Sequence, residues 1–267
     1  MEVIELHWWQ LSLAVVLVLL LALFSYQARL GISRSLLIAT LRTLVQLALI
    51  GLVLELLFSL GSLLWVALMA LVMLLLAGRE VMARQKRRLT GGWAYSIGTL
   101  SMFVSSFSIT VITLLVLIGP SPWYTPQYAI PLLGMLLGNT MTGVALSLDR
   151  LTEQTWQQRQ VIESRLMLGQ HWSEALEPIR REAMRAGMMP SINAMAAAGI
   201  ISLPGMMTGQ ILAGTPPALA VKYQILIMLI ITLGTGLGTA LAVIMGSRRL
   251  FDDRQRLRLD RLYNPAG

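Results

Sequence analysis

The feature that most constrains this chain is the length of its charge-free stretches. No Asp, Glu, Lys or Arg occurs in residues 89–148 or in residues 186–221. Hydrophobic residues make up 56% of the chain and charged residues 13%, a balance outside the range of soluble globular proteins. Because a helix crosses a bilayer with roughly 20 apolar residues, the sequence predicts an all-α, polytopic integral membrane protein.

The apolar stretches divide into seven predicted transmembrane helices within one membrane domain that covers residues 1–267. Residues 149–185 are predicted to form the one sizeable loop. Residues 247–267 form a basic tail, which is either a short surface helix or a solvated tail near anionic lipid headgroups. The predicted spans cover about residues 8–26, 36–58, 60–78, 95–118, 128–148, 186–206 and 219–246.

The positions of the basic residues predict how the chain is oriented. With an odd number of spans and the N-terminus outside, every Lys and Arg except Lys222 falls on the cytoplasmic side. The positive-inside rule therefore predicts the N-terminus outside and the C-terminus in the cytoplasm. The same rule accounts for the net charge of +8. Membrane lipids are expected as partners, and nucleic acid is not.

The residue types present exclude several kinds of chemistry. The chain has no cysteine and only two histidines, so a thiolate metal site is excluded and no set of metal ligands is predicted. It contains no GxxxxGK[ST] phosphate loop and no HExxH motif, so neither catalytic residues nor a cofactor bound by this chain are predicted. If transport is driven by ATP, hydrolysis must take place on a partner chain.

The loop at residues 163–190 has a helix, turn, helix pattern. Gly169 is predicted to end a first helix at Leu168, Ser173 to cap the next, and Pro178 to start a new helix after a break. This second part has two faces: an apolar stripe at Leu176, Ile179, Ala183 and Ala186, and a charged face at Glu174, Glu177, Arg181 and Arg185. On periodicity alone, it either lies on the membrane, caps the bundle or meets a partner.

The spacing in this loop resembles the cytoplasmic coupling loop of ABC-transporter permease subunits, in which a short helix fits a groove on a separate ATPase. The position after the glycine, usually alanine in that loop, is Gln170 here. The matching residues are Leu166, Leu168, Gly169, Ala175, Ala183, Gly187 and Pro190. The resemblance implies docking of an ATP-binding cassette subunit, with the coupling residues Glu163, Leu168, Gly169, Ala175, Leu176, Ile179 and Arg181.

Four separated motifs extend the resemblance to most of the chain. They are this loop, IPLLGMLLGNTM at residues 130–141, GIISLPGMMTGQILAG at residues 199–214 and AVKYQI at residues 220–225. Together they resemble the FetB-like iron-export permease family of bacteria, whose plant relatives are linked to aluminium tolerance. The resemblance implies a non-enzymatic subunit in the bacterial inner membrane that exports metal ions, iron in particular, while a separate subunit hydrolyses ATP. A seven-span chain is small for a transport pathway, so a homodimer paired with two ATPases is expected.

The sequence SLPGMMTGQ at residues 202–210 interrupts the sixth predicted span. Pro204 cannot donate to the carbonyl of Ile200, and Gly205 permits a backbone excursion, so the helix is predicted to kink or end there. Freed carbonyls at membrane depth must be buried in protein or face a water-filled cavity, which makes the break either a gate or a packing kink. The predicted path or gate residues are Gly138, Asn139, Ser202, Pro204, Gly205, Met206, Met207, Thr208 and Gln210.

Polar side chains in the second span keep a different function open. Arg42, Gln46 and Glu55 lie within an otherwise apolar helix. Ionisable groups at such positions mark proton or ion pathways in many membrane proteins. A stand-alone proton-coupled carrier is therefore the alternative to an ATP-driven exporter.

Overall fold

The computed structural model describes residues 7–263, except for the side chain of Leu60, and within them it is built of helices without a β-sheet. The chain divides into two compact units: unit 1 comprises residues 1–62 and 212–214, and unit 2 comprises residues 63–211 and 215–267. The helices in chain order are α1 Trp8–Gln27, α2 Ser33–Leu60, α3 Leu63–Ala83, α4 Trp93–Ile118, α5 Pro126–Gln157, α6 Arg159–Met167, α7 Trp172–Ala175, α8 Glu177–Ala197, α9 Gly205–Leu212 and α10 Pro217–Arg249.

Unit 1 is a pair of apolar helices, α1 and α2. The connection between them turns at Arg29 and Gly31, whose φ angles of 52° and 72° lie in the left-handed region. Ala22, Ser25 and Leu57 are buried, while most leucine side chains of both helices are exposed. Lipid tails are as apolar as leucine, so such a surface suits helices that face the bilayer.

The core of unit 2 is formed around α5 and α10, which run in the same direction. Leu136 of α5 lies against Gly234 of α10. About three turns further along, Leu148 lies against Gly246. Because both helices begin at the same end of unit 2, the chain between them has to return along the length of the bundle.

Helix α8 provides most of this return and runs antiparallel to α5 and α10. Near its start, Glu182 forms an ion pair with Arg150 of α5 at 3.4 Å. Near its end, the Sδ atom of Met195 lies 2.8 Å from the hydroxyl of Thr232 in α10. Helix α8 therefore runs alongside the two longer helices from one end of unit 2 towards the other.

Helix α4 is irregular where it packs on α10. It contains two π-helical turns, at Phe103–Phe107 and Thr113–Ile118. Ser105, within the first π-helical turn, lies against Gly238 of α10. Such turns inside α-helices are frequent at functional sites.

Within residues 7–263, six helices are long and apolar enough to cross a membrane: α1 to α5 and α10. They correspond to six of the seven predicted spans. The bounds predicted for the remaining span, 186–206, are wrong, since α8 begins at Glu177 and ends at Ala197. The helix ends there because Ala198 is extended and Gly199 has a left-handed φ of 85°. Seven crossings and an outward N-terminus remain predictions.

The predicted loop at residues 149–185 begins with helix. Helix α5 continues to Gln157, several residues beyond the predicted end of its span. A stripe of buried side chains that includes Leu151 and Thr155 continues through this extension. The charges at Asp149 and Arg150 therefore mark the end of the apolar span and not the end of the helix.

The predicted basic tail is not a surface helix. Residues 250–263 fold back onto unit 2 with one 3-10 turn at Leu259–Arg261. Leu250, Phe251 and Leu262 are buried in its core. Burial of these apolar side chains outweighs the tendency of the charged ones to stay in solvent. The last part of the predicted tail, residues 264–267, lies outside the described residues.

Three charged segments meet at one end of unit 2, which we call the basic end. Arg87, in the connection between α3 and α4, forms an ion pair with Glu153 of α5 at 3.0 Å. In the same connection, the backbone N–H of Thr90 donates to the carbonyl of Arg261 at 2.8 Å. The loop after α5 and the C-terminal segment therefore lie at the same end as this connection.

Candidate functional site

The loop at the basic end has the predicted helix, turn, helix form. Helix α6 ends at Met167, and Gly169 follows with a left-handed φ of 86°, which confirms the predicted stop. The predicted cap at Ser173 is wrong: His171 caps α7, and its Nδ1 accepts from the backbone N–H of Ser173 at 3.3 Å. Helix α8 begins at Glu177, where the following proline predicted a new start.

Three of the predicted coupling residues face the interior of unit 2. Ala175, Leu176 and Ile179 are 1%, 0% and 3% exposed. They belong to the same apolar core as Leu148 and Val243. The apolar stripe of this segment therefore caps the bundle, which was one of the open interpretations. The three residues anchor the loop and do not form part of its surface.

The exposed tip of the loop carries other predicted coupling residues. Met167 and Leu168 are 81% and 83% exposed, Gly169 follows them, and Glu163 is exposed one turn earlier. The tip is therefore apolar and exposed although it lies outside the apolar spans. Arg181 lies on the exposed face of α8, where it forms an i, i+4 ion pair.

The C-terminal segment connects this loop to α10. The rings of Trp172 and Phe251 pack with their centroids 5.5 Å apart. The backbone N–H of Trp172 donates to Oε1 of Gln255 at 3.3 Å. Phe251 lies two residues beyond the end of α10, so the loop packs directly on the segment that continues from that helix.

Two carboxylates hold the C-terminal segment in shape. Arg256 donates backbone and side-chain hydrogen bonds to Asp252, and these bonds hold the pKa of that carboxyl below its ordinary value. Arg258 donates two hydrogen bonds to Asp260 and lowers the pKa of that carboxyl to about 2. Both carboxyls are therefore ionised at neutral pH, which preserves these bonds.

Gly138 and Asn139 lie on an exposed face of α5. A Cβ added at Gly138 would meet no neighbouring atom of the described chain within 4 Å. The side-chain amide of Asn139 donates to the carbonyl of Met135, four residues earlier, at 2.8 Å. Within the described chain, no hydrogen bond joins this pair to the other predicted gate residues at positions 202–210.

The break after α8 begins earlier than predicted. The backbone N–H of Gly199 donates to the carbonyl of Ser202 at 2.9 Å, and that of Ser202 donates to the carbonyl of Ala197 at 3.0 Å. Pro204 follows this turn, and its carbonyl accepts hydrogen bonds from Thr208 in α9. The helix was predicted to kink or end at Pro204; it ends, but seven residues earlier, at Ala197. A glycine with positive φ ends the helix, and the proline precedes the next one.

Helix α9 holds the remaining predicted gate residues. Gly205 is exposed at its start, Met206 is half-buried, and Met207 is buried. The Oε1 atom of Gln210 is buried and has no hydrogen-bond partner among the described residues. A buried amide oxygen without a donor is unfavourable. Packing within the described chain therefore does not explain why a glutamine stands at position 210.

A close contact between α5 and α8 was not predicted. A Cβ added at Gly143 would lie 2.8 Å from the carbonyl oxygen of Gly187, and one added at Gly187 would lie 2.6 Å from that of Gly143. Side chains of Thr235 and Thr239 of α10 adjoin the same place. The sequence signal for it is a set of small residues four apart: Gly143 with Ser147, Gly187 with Ser191, and Thr235 with Thr239.

The hydroxyls at this contact lack partners. Thr140, Thr235 and Thr239 are at most 1% exposed, and their Oγ1 atoms have no hydrogen-bond partner among the described residues. Other buried hydroxyls without a partner among the described residues are those of Ser106 and Thr113 in α4 and of Ser247 in α10. A buried polar group without a partner costs about 1–3 kcal/mol. We call the residues Thr140, Gly143, Gly187, Thr235 and Thr239 the hydroxyl seam.

The buried polar side chains of the described residues offer uncharged oxygen atoms as possible ligands. Among the described residues, no group of three or more His, Cys, Asp or Glu could hold a metal ion. The buried polar side chains in that part of the chain are Ser, Thr and Gln. Oxygen donors of this kind suit hard cations better than soft ones, and uncharged donors favour transient contact over tight binding.

Together these features define a multi-pass helical membrane protein with a structured loop at its basic end. Residues 8–251 match the family described as "Uncharacterised protein family (UPF0014)", and the chain belongs to this family. A UPF0014 membrane protein of Synechocystis sp. is 38% identical over 262 residues, which cover 95% of this chain and 97% of the relative. No solved structure matches the chain.

Two further relatives confirm the resemblance that the motifs indicate. The probable iron export permease protein FetB of Escherichia coli is 32% identical over 252 residues, which cover 92% of this chain and 93% of the relative. The protein ALUMINUM SENSITIVE 3 of Arabidopsis thaliana is 33% identical over 216 residues, which cover 80% of this chain and 77% of the relative.

Proposed function

We propose that this chain is the membrane subunit of an ABC transporter that exports metal ions, with iron as the first candidate. A separate ATP-binding subunit docks on the loop at the basic end and hydrolyses ATP, while this chain binds no cofactor of its own. Membership of the family supports this proposal, and so does the name of the FetB relative, a probable iron export permease.

The exposed tip of the loop is the observation that carries the docking proposal. Met167 and Leu168 project from a loop whose next segment is fixed in the core by Leu176 and Ile179. An apolar tip on a rigid base suits insertion into a groove on another protein, because little backbone conformational freedom is lost on binding. A force on the tip then moves the start of α8.

Helix α8 is the proposed moving element. It leaves the loop, passes the hydroxyl seam at Gly187 and ends at the break near Gly199. Separation of Gly187 from Gly143 admits water and a passing cation to the seam hydroxyls that lack protein partners. The break at residues 198–204, followed by α9, then forms the far end of the path, where the predicted gate residues lie.

The direction of the helices supports a seventh crossing. Because α5 and α10 are both candidate spans and run the same way, the segment between them returns across the bilayer. We assign this return to α8 together with α9. An odd number of crossings then agrees with the outward N-terminus that the basic residues predict.

A second copy of the chain is the proposed partner for the open face of α5. Gly138 and Asn139 form a small and polar patch on an exposed face of a candidate span. A polar amide facing lipid is unfavourable, and small residues favour close helix pairing. A homodimer covers this face and matches a pair of ATPases.

Substitution of the loop tip tests the docking. Leu168→Glu places a charge in the proposed apolar contact and should reduce co-purification with the ATP-binding subunit at least about tenfold, the equivalent of about 1.4 kcal/mol. Val161→Glu is the matched control, because Val161 is a half-exposed apolar residue on α6, away from the tip. Pull-down from cells that co-express candidate ATP-binding subunits measures both. Retention of the subunit by Leu168→Glu would overturn the assignment.

The alternative, a stand-alone proton-coupled carrier, rests on Arg42, Gln46 and Glu55. All three belong to α2 in unit 1, and proton pathways use ionisable groups that face a bundle interior or a water-filled cavity. Proteoliposomes with the purified chain alone separate the two functions. Transport driven by a pH gradient without any ATPase would support the carrier. A rise in cellular iron on deletion of the gene is expected for the exporter.

A further inference from the structure

A cavity at the basic end has no part in the proposed docking or path. Its volume is about 700 Å³, and it lies among the start of α4, the end of α10, the C-terminal segment and the turn before α7. The lining contains two tryptophans and three arginines: Trp93, Trp172, Arg248, Arg249 and Arg261. The question is which ligand suits this combination.

The arginines of the cavity are not paired with carboxylates. No ion pair among the described residues involves Arg248, Arg249 or Arg261. The guanidinium of Arg249 lies 4.3 Å from the ring centroid of Trp93. That of Arg261 donates to the backbone carbonyls of Arg249 and Phe251, at 2.8 Å and 3.0 Å. Three positive charges thus share one cavity.

The acidic residues of the lining do not neutralise these charges. Asp252 and Asp253 both line the cavity. Asp252 is engaged by Arg256 at 2.8 Å and lies 4.0 Å from Arg258, and neither of these arginines lines the cavity. Asp253 in the lining, and Asp260 acting electrostatically on Arg249 and Arg261, therefore oppose the three guanidinium groups only in part. An anion with several oxygen atoms, such as a phosphate ester, matches the donors that remain.

The position of the cavity favours a lipid as the source of that anion. Trp93 begins one candidate span and Arg249 ends another, so the cavity lies at the level where the spans meet water, a typical place for tryptophan and arginine. Ile97 contributes apolar lining. Leu100 and Ile244, one to two turns further into the same spans, are exposed apolar side chains.

We infer that this cavity binds the phosphate-bearing headgroup of an anionic phospholipid, with the acyl chains along α4 and α10. A soluble phosphate shares the headgroup chemistry but makes no use of the apolar surface beside it. Because Trp172 also belongs to the lining, a bound lipid braces the loop against the end of α10. The inference holds whether or not the chain works with an ATPase.

Lipid retention by the purified full-length chain tests the inference. Native mass spectrometry and thermal unfolding are measured after addition of phosphatidylglycerol, phosphatidylcholine or inorganic phosphate. The chain should retain phosphatidylglycerol in preference to phosphatidylcholine, and its melting temperature should rise with phosphatidylglycerol only. Arg248→Gln, at an exposed position, should weaken phosphatidylglycerol binding roughly fivefold, as expected for one basic residue.

The control is Arg84→Gln, since Arg84 is exposed in the charged connection between α3 and α4 but does not line the cavity. Equal loss of phosphatidylglycerol in both variants would show general charge attraction and overturn the inference. Equal retention of the two lipids would also overturn it. A melting temperature raised as much by inorganic phosphate as by phosphatidylglycerol would identify the cavity as a soluble-anion site instead.

Discussion

The two halves of α8 are held in different ways. In the first half, Ile179, Ala183 and Gly187 are buried along one face, which continues to Ser191 just beyond the midpoint. In the second half, residues 192–196 are exposed, and the turn that follows places Ile200 at 92% exposure. Helix segments with few buried contacts change conformation at lower cost than packed ones. The first half is therefore suited to transmit movement and the second to rearrange.

The largest effect is expected where the packed half meets α5. Gly143→Ala places a methyl group 2.8 Å from the carbonyl oxygen of Gly187, and overpacking of this kind costs about 1–3 kcal/mol. Gly51→Ala, within α2, meets open space and should be neutral or stabilising by up to about 1 kcal/mol, because alanine favours helix. Thermal unfolding in detergent measures both. Equal melting temperatures would refute the close contact.

An intermediate effect is expected for the seam hydroxyls. Thr239→Val removes a buried hydroxyl that has no partner among the described residues, so stability should stay constant or rise by about 1 kcal/mol while metal export falls. Thr152→Val is the control, because that hydroxyl donates to the carbonyl of Leu148 at 2.9 Å, and its loss should cost about 1 kcal/mol. Full export by the Thr239 variant would show that the hydroxyl seam is a packing contact and not part of the path.

The smallest effect is expected in the exposed half. Gly199→Ala forces a side chain into the left-handed region at φ 85°, at a cost of about 1 kcal/mol. Pro204→Ala lies after the helix end and should change stability less. Comparison of the two variants, by unfolding and by coupling of ATP hydrolysis to export, locates the break. A larger effect of Pro204→Ala than of Gly199→Ala would show that the proline, and not the glycine, causes the helix to end.

The sequence predicted the helices of this protein better than their contacts. Charge-free stretches located six spans, and Gly169 and Pro178 correctly marked the stop and restart within the loop. The sixth predicted span had the wrong bounds, because charges such as Arg181 mark where the bilayer ends and not where a helix starts. His171 and not Ser173 caps α7, because the helix already begins at Trp172, so that the N–H of Ser173 is itself a donor to be capped.

The candidate site was predictable only in part. The motif identified the loop, yet Ala175, Leu176 and Ile179 proved to be anchors, because an amphipathic stripe does not specify whether it faces its own core or a partner. The seam at Gly143 and Gly187 was present in the sequence as small residues four apart. Many such pairs occur in this chain, so the pattern alone does not identify the pair that meets.

Membrane class, span positions, family and the turn within the loop were determined by the sequence itself. Each depends on composition over about 20 residues or on local backbone preference, and both are properties of a short stretch of sequence. The inward face of the loop, the end of α8 at Gly199, the seam of unpartnered hydroxyls and the arginine-lined cavity were decided by tertiary structure. These features depend on which helices become neighbours, because burial and partnership are properties of a pair of surfaces and not of either sequence alone.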